Sequence, residues 1–349
     1  MTNEPESRDA VDSFLDRDGV LLDVRSPAEY AQAHIPGARS LPLFRNDERH
    51  TVGLTYKEEG REVAIERGLE IVGPRLRPLL EQARRMAGPS RRVRVYCWRG
   101  GMRSDAVAWL LRFGGLEVER LVGGYKAFRR YVDEVLRRPM AIWIIGGMTG
   151  SGKTDLLHAL ATRGEQILDL EGLAHHLGSA FGGLGQPPQP SSEQFENRIA
   201  VAWRGFDPTR PLFVEDESRR LGRVAIPEPL WGQMRAAPVL EISVPREARL
   251  ARLLRDYRAL PAAELKAAVI SIRKRLGGAR TAEVLALIDG RRHREAADEL
   301  LGYYDKAYRM AMSRRDDDAF VPIESADGAI DGLAERIVAE STSRQPGES

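Results

Sequence analysis

The sequence contains almost no cysteine: Cys97 is the only one among 349 residues. One cysteine excludes an intrachain disulfide and any zinc site that is built from several thiolates. Long uninterrupted apolar segments are also absent, so no transmembrane helix is predicted. Residues 1–9 are polar and acidic and do not resemble a signal peptide. Together these absences predict a cytoplasmic protein that does not bind a membrane.

A strong excess of one charge is absent as well. The 53 Lys and Arg residues nearly balance the 51 Asp and Glu residues, which leaves a net charge of +2. This balance alone neither favours nor excludes a nucleic-acid partner, although arginines concentrate in the C-terminal third. The length predicts two or three domains, and 42% hydrophobic residues are enough to build their cores.

The single cysteine is predicted to lie at the end of a strand. Valines alternate in residues 93–95, a glycine-rich loop follows Cys97, and a helix is predicted over Ser104–Phe113. The loop glycines let backbone N–H groups converge near the sulfur, and such a nest at a helix N-terminus binds anions and favours a thiolate. Arg99 and Arg103 add positive charge. We therefore predict that these three side chains form a catalytic site rather than surround a buried structural thiol.

Residues 1–136 are predicted to form an α/β domain with a largely parallel sheet, because apolar strands alternate with helices. One strand is predicted over residues 20–25. The next helix begins with Ser26 as its N-cap, Pro27 at its first position and Glu29 at its third, which is the pattern of a capping box.

Several motifs of this region resemble those of the rhodanese family, whose members move sulfur through a cysteine persulfide. They are residues 23–25, 29–30, 34–38, the loop after Cys97, and residues 123–125. A usual rhodanese loop places its arginine five residues after the cysteine, whereas Arg103 follows Cys97 by six. The larger loop predicts a larger anion, such as a phosphate-bearing donor. Cysteine-dependent phosphatases share this spacing, but Tyr96 stands where they carry a histidine.

A second phosphate-binding pattern follows a predicted buried strand over residues 141–145. The motif G-x4-G-K-[ST] is matched without a mismatch, and a helix is predicted directly after it. Its glycines let backbone N–H groups surround phosphate oxygens, Lys153 adds a charge, and Thr154 can reach a magnesium ion. The motif does not distinguish a nucleotide, a diphosphate ester or an RNA phosphate. The residues assigned to phosphate binding are Gly147, Thr149, Gly150, Ser151, Gly152, Lys153 and Thr154.

Carboxylates follow two further predicted strands. Asp169 and Glu171 come after one, and Glu215 and Glu217 after the other. At the carboxyl ends of parallel strands beside a P-loop, such groups hold magnesium or a substrate hydroxyl. We predict a supporting role for all four, with Mg²⁺ as the candidate cofactor and no metal ligand assigned. The His175-His176 pair is not predicted to bind metal, because adjacent residues point to different sides of a helix.

The chain beyond Pro245 is predicted to be helical and basic. Clustered arginines on helices suit a nucleic-acid backbone, although interspersed acidic residues leave ordinary solvated faces as an alternative. The candidate nucleic-acid contacts are Arg219, Arg220, Arg252, Arg273 and Arg275. The predicted boundaries are 1–136 for the cysteine domain, 139–245 for the P-loop domain, 246–335 for the helical extension and 336–349 for a disordered tail.

Taken together, the motifs are similar to those of the tRNA 2-selenouridine synthase family, which joins a rhodanese-like domain to a P-loop domain. The segments that carry this resemblance are residues 96–104, 146–154, 169–176, 195–196 and 214–219. The resemblance implies a transferase that converts 2-thiouridine at the wobble position of tRNA to 2-selenouridine with selenophosphate. It further implies an S-geranyl-2-thiouridine intermediate made from geranyl diphosphate. The implied partners are the tRNA anticodon stem-loop and an enzyme that produces selenophosphate.

Within this resemblance, Cys97 is assigned to selenium transfer, with Arg99 and Arg103 orienting the donor. Lys153 and the loop amides are assigned to the diphosphate. Two alternatives stay open. The first is an ATP-dependent tRNA sulfur-transfer or kinase-type enzyme in which the P-loop hydrolyses nucleotide, and the second is a non-catalytic tRNA-binding scaffold.

Overall fold

The structure, a computed structural model, describes residues 8–257, 260–313, 315–325 and 327–343. Its residues group into two compact units, Met1–Val135 with Glu196–Val201, and Leu136–Phe195 with Ala202–Ser349. Each unit contains its own parallel β-sheet surrounded by helices, so the predicted α/β fold class is confirmed.

The first unit is built around a parallel sheet with the strand order β2-β1-β3-β4. Its elements in chain order are α1 (Arg8–Asp16), β1 (Val20–Asp23), α2 (Pro27–Gln32), β2 (Arg39–Ser40), α3 (Asn46–Glu58), α4 (Arg61–Val72), α5 (Leu76–Ala87), β3 (Arg92–Tyr96), α6 (Met102–Phe113), β4 (Glu117–Arg120) and α7 (Gly124–Leu136). The capping box predicted for α2 is present, because Ser26 and Glu29 each accept a hydrogen bond from the other's backbone N–H.

Strand register decides where the cysteine loop lies. Asp23 at the end of β1 pairs with Tyr96 at the end of β3, so the segments after both strands leave the sheet at the same edge. Beneath them, side chains such as Leu22, Val95 and Leu111 are fully buried. This core fixes the position of the loop that starts at residue 97.

The second unit is built around a parallel sheet with the order β11-β10-β5-β7-β6. Its elements are β5 (Ala141–Gly147), α8 (Lys153–Thr162), β6 (Gln166–Leu168), α9 (Leu170–Ala174), the two ends of α10 (Ser192–Arg204), β7 (Pro211–Glu215), β8 (Arg220–Leu221), β9 (Val224–Ala225), α11 (Glu228–Ala236), β10 (Val239–Ser243), α12 (Arg246–Tyr257), α13 (Ala262–Ser271), α14 (Arg273–Leu276), α15 (Gly278–Asp289), α16 (His293–Met312), β11 (Phe320–Glu324) and α17 (Ile330–Ser343). The middle of α10, Glu196–Val201, groups with the first unit.

The C-terminal region differs from its prediction in two places. A strand, β11, lies inside the segment predicted to be helical and pairs with β10. The tail predicted to be disordered from residue 336 is helical as far as Ser343, so that part of the prediction is wrong; residues 344–349 lie outside the described part. The reason is the apolar spacing of Leu333, Ala334 and Ile337, which bury one face of α17 against the core around α8.

Within the residues that the structure describes, no helix is both long and apolar enough to span a membrane.

Candidate active site

Cys97 lies directly after β3 and is buried, with 3% of its surface exposed. Its sulfur is 3.2 Å from the hydroxyl of Ser104 and 3.8 Å from the carbonyl oxygen of Gly101. The Ser104 hydroxyl in turn donates to that same carbonyl at 2.9 Å. The thiol is therefore buried and in contact with residues at the start of α6.

The loop after the cysteine is held against the start of α7. The N–H of Tyr125 donates to the carbonyl of Cys97 at 2.8 Å, and the N–H of Lys126 donates to that of Trp98 at 2.9 Å. Gly124 has φ +61°, and a Cβ placed there would lie 2.2 Å from the Cys97 carbonyl oxygen. Only glycine permits this close approach.

Arg103, predicted to orient an anion, is paired with a carboxylate of its own unit. Its two terminal nitrogens lie 2.8 and 3.3 Å from the oxygens of Glu29. Partial burial tends to raise the pKa of Glu29, but the hydrogen bond and charge of Arg103 outweigh it and hold that pKa below its ordinary value. Arg99 is exposed at the tip of the loop. Sequence reasoning assigned Glu29 only to the helix cap and missed this pairing.

A buried ion pair supports the strand ends below the loop. Arg25 and Asp23 are both essentially inaccessible, with their nearest side-chain atoms 2.6 Å apart. The hydroxyl of Tyr96 donates to Asp23 at 2.8 Å, and the guanidinium carbon of Arg25 lies 3.9 Å from the ring centre of Tyr125. Burial raises the pKa of Tyr96 well above its usual value, so the phenol remains a donor. The network fixes the backbone on both sides of Cys97.

The P-loop between β5 and α8 has the predicted form. Gly147, Gly150 and Gly152 have φ values of +151°, +81° and +85°, a path that side chains with a Cβ rarely adopt. The amine of Lys153 donates to the carbonyl of Gly147 at 3.0 Å. The Ser151 hydroxyl is buried without a hydrogen-bond partner in the described part of the chain. The loop therefore holds a hydroxyl whose hydrogen-bonding capacity is unused in this structure.

Two arginines of α12 donate hydrogen bonds to backbone carbonyls of the P-loop. Arg249 pairs with buried Asp305 at 2.7 and 2.9 Å and donates to the Thr149 carbonyl at 3.1 Å. Arg252 donates to the carbonyl of Gly150 at 3.0 Å. Arg252 was a candidate for nucleic-acid contact from sequence, yet the structure brings it to the phosphate loop.

Three of the four predicted carboxylates meet beside the P-loop. Oxygens of Glu171, Glu215 and Glu217 lie within 4.8 Å of one another, and the Thr154 hydroxyl donates to Glu171 at 3.0 Å. Burial first, and then the charge of Glu171, raise the pKa of Glu215 to about 8, although Lys153 opposes the shift. Burial and the same repulsion raise the pKa of Glu217 well above its ordinary value.

The donor set of this cluster fits a magnesium ion. Carboxylate and hydroxyl oxygens are the ligands that Mg²⁺ prefers, and one oxygen of Glu215 is buried without a partner among the described residues. Asp169, the fourth predicted carboxylate, instead caps α9 through the N–H of Gly172 at 2.7 Å. It also lies 3.2 Å from Nε2 of His158.

The adjacent histidines line a separate cavity of about 600 Å³ in the second unit, whose lining mixes polar and apolar residues. Nδ1 of His175 lies 2.9 Å from the carbonyl oxygen of Pro188. Nδ1 of His176 is buried without a partner within the described residues, and burial lowers the pKa of this imidazole.

The remaining candidate arginines lie in two different segments of the second unit, at the start of the β8–β9 hairpin and on α14. Arg219 forms an ion pair with Glu228, and Arg220 begins the β8–β9 hairpin. Arg273 and Arg275 are exposed on α14.

Two family models of known proteins match the chain. A family model described as the tRNA 2-selenouridine synthase AAA domain matches residues 140–336, which is more than half of the chain. The chain belongs to the tRNA 2-selenouridine synthase family. The model of the rhodanese-like domain matches residues 7–131, as the tRNA 2-selenouridine synthase resemblance predicted.

Curated relatives named tRNA 2-selenouridine synthase match most of the chain. One from Hydrogenovibrio crunogenus is 36% identical over 84% of this chain and 90% of its own length. Others from Marinobacter nauticus and Cronobacter sakazakii are 34% and 37% identical, over 92% and 89% of this chain and 95% and 91% of their own lengths. The prediction of a transferase enzyme is confirmed by membership of this synthase family.

Proposed function

We propose that the chain replaces the sulfur of 2-thiouridine at the tRNA wobble position with selenium from selenophosphate, through an S-geranyl intermediate made from geranyl diphosphate. The names of its relatives support the parts that concern tRNA and selenium. The observation that carries the two-step route is that one chain has two glycine-rich loops between a strand and a helix, one with a thiol and one with a lysine, and that three glutamates lie beside the second loop. Each loop suits one of the two phosphate-bearing substrates.

The first step is alkylation beside the P-loop. The sulfur of 2-thiouridine forms a bond to C1 of geranyl diphosphate, the C1–O bond breaks, and the base gives up its N3 proton. Lys153 and the loop N–H groups stabilise the negative charge of the leaving diphosphate. A magnesium ion held by Thr154, Glu171 and Glu215 would neutralise further charge there, so Mg²⁺ is our candidate cofactor.

The second step is selenium transfer beside Cys97. We assign Cys97 to selenium transfer, and Arg99 and Arg103 to orienting the selenophosphate donor. Because Arg103 is held by Glu29, a phosphate-bearing donor competes with that carboxylate for the guanidinium. We assign tRNA contacts to Arg219, Arg220, Arg273 and Arg275, place the reaction in the cytoplasm, and expect a selenophosphate-producing enzyme as supplier.

The proposal is tested with purified protein and an anticodon stem-loop that carries 2-thiouridine. Geranyl diphosphate is added first and selenophosphate second, both without ATP, and nucleoside masses are read after each addition. Wild-type protein should give a geranyl adduct and then a selenium product. If no mass changes until ATP is present, the nucleotide-free route is wrong.

The ATP-dependent alternative has one observation in its favour. The hydrogen bond from Thr154 to Glu171 is an arrangement that also suits a nucleotide-bound magnesium ion. Phosphate release from ATP that depends on tRNA would support this alternative, whereas identical alkylation rates with and without ATP would exclude it.

A further inference from the structure

An apolar groove of about 760 Å³ opens on the first unit between α3, α4 and α6. Its walls carry large apolar side chains that are exposed, including Ile65, Leu69, Met102 and Trp109. Leu69 is 65% exposed and Trp109 is 63% exposed. Proteins in water rarely expose a contiguous apolar surface unless it binds something, and the volume lies in the range of ~300–1,000 Å³ typical of small-molecule sites.

The groove adjoins the cysteine loop. Met102 and Arg103, in the first turn of α6, form part of its wall. Val107 and Leu110 also line it, and these two side chains belong to the core cluster that contains Cys97. One helix therefore forms both the wall of the groove and the packing around the thiol.

The charged groups at the groove are mainly cationic. Arg49, Arg61 and Arg103 line it, against Asp105 as the acidic lining residue. Glu29 pairs with Arg103 and offsets one of these charges. A ligand that joins an apolar chain to an anionic body fits this combination. An RNA that carries a hydrocarbon chain is such a ligand, because its phosphates are anionic.

We propose that the groove binds the geranyl chain of S-geranyl-2-thiouridine while selenium replaces sulfur beside Cys97. This inference rests on the proposed function, which supplies the alkylated nucleoside. In that step selenium donates an electron pair to C2 of the base, the C2–S bond breaks, and geranyl thiolate leaves and takes a proton from water. Water then cleaves the phosphorus–selenium bond of the donor, so no oxidant or reductant is needed.

The test compares two stem-loops, one with S-geranyl-2-thiouridine and one with S-methyl-2-thiouridine. Selenophosphate is added, and kcat/KM for the selenium product is measured for each RNA. Because apolar binding energy grows with each buried carbon, the wild type should prefer the geranyl substrate by about 100-fold or more.

Two variants alter the groove without touching the buried core. Leu69→Asp places a charge on its wall, and Ala106→Phe narrows it from an exposed position of α6. Both should reduce the preference to about 10-fold or less and leave the rate of alkylation by geranyl diphosphate unchanged. The matched control is Ile270→Asp, an exposed apolar helical residue of the second unit, which should keep the full preference.

The outcomes separate the two proposals. If wild-type protein converts neither RNA, the proposed function fails and the groove assignment fails with it. If it converts both RNAs at equal rates, or if the groove variants keep the full preference, only the groove assignment is overturned. Sedimentation adds a further outcome: a variant that turns a dimer into a monomer but keeps the preference would make the groove a self-association surface and overturn the inference.

Discussion

The cysteine loop and the P-loop are both glycine-rich turns between a parallel strand and a helix, but the charged side chains around them are arranged differently. At the cysteine loop, Arg103 is already neutralised by Glu29, and Arg25 by Asp23. At the P-loop, Glu171, Glu215 and Glu217 crowd together. At the first site each of these two guanidiniums is paired with a carboxylate, whereas the crowded carboxylates of the second site favour a cation or protons.

The largest effect should come from removing the reactive group of each loop. Cys97→Ala is expected to lower the selenium step by about 1,000-fold and to spare alkylation, because the thiol is the only one in the chain. Lys153→Ala is expected to lower alkylation by about 100-fold or more, because it removes charge from the leaving diphosphate. Single-turnover rates of each step, read from nucleoside masses, measure both. A variant that loses both steps equally would contradict separate sites.

The next largest effect concerns the buried ion pair below the cysteine loop and the free energy of unfolding. Arg25→Met should destabilise the protein by about 3–5 kcal/mol, because it leaves Asp23 as a buried charge without its partner. Urea unfolding measures the change. Arg77→Met is the control, since its pair with Glu81 is exposed and should change stability little. Equal losses in the two variants would show that the buried pair has no special role.

The glutamates crowded beside the P-loop should make the stability of the protein depend on pH. The pKa of Glu215 is raised from 4.5 to about 8 in the folded chain, so the folded state keeps a proton that the unfolded state loses. Stability should therefore fall as pH rises between those values, by several degrees in the melting temperature.

Glu215→Gln should flatten this fall, and millimolar Mg²⁺ should reduce it in the wild type by binding the ionised cluster. Melting curves from pH 5 to pH 8.5, with and without the ion, measure both effects. A wild-type profile that rises over this range would contradict the raised pKa.

The smallest expected effect concerns Arg103, whose charge is paired with Glu29. Glu29→Gln keeps an acceptor for the helix cap but frees Arg103, so the KM for selenophosphate should fall by about 2–5-fold. Steady-state kinetics of the selenium step measure it. Glu48→Gln, which breaks a comparable pair with Arg75, should leave that KM unchanged. An unchanged KM in both variants would mean that Arg103 does not hold the donor.

Local sequence was enough to predict the elements that carry each loop. The alternating valines before Cys97, the capping box at Ser26 and the glycine spacing around Lys153 are patterns within a few residues, and each lies in the structure where it was expected. The physical reason is that strand, turn and helix-cap preferences act over such short distances.

Contacts between distant residues could not be predicted in this way. Arg103 meets Glu29, 74 positions earlier, and Arg252 meets Gly150, 102 positions earlier, because the fold brings their elements together. Charge spacing along α12 gave no sign of which arginines would turn inward. Strand β11 was missed for the same reason, since its partner β10 is remote in sequence.

The single buried thiol also allows local opening of the structure around Cys97 to be measured. With one cysteine in the whole sequence, every alkylation event by iodoacetamide reports on a single position. The labelling rate therefore measures how often the buried sulfur becomes accessible, in the way that hydrogen exchange measures local opening. Comparing this rate with turnover would tell whether exposure of the thiol or the chemical step limits the rate of selenium transfer.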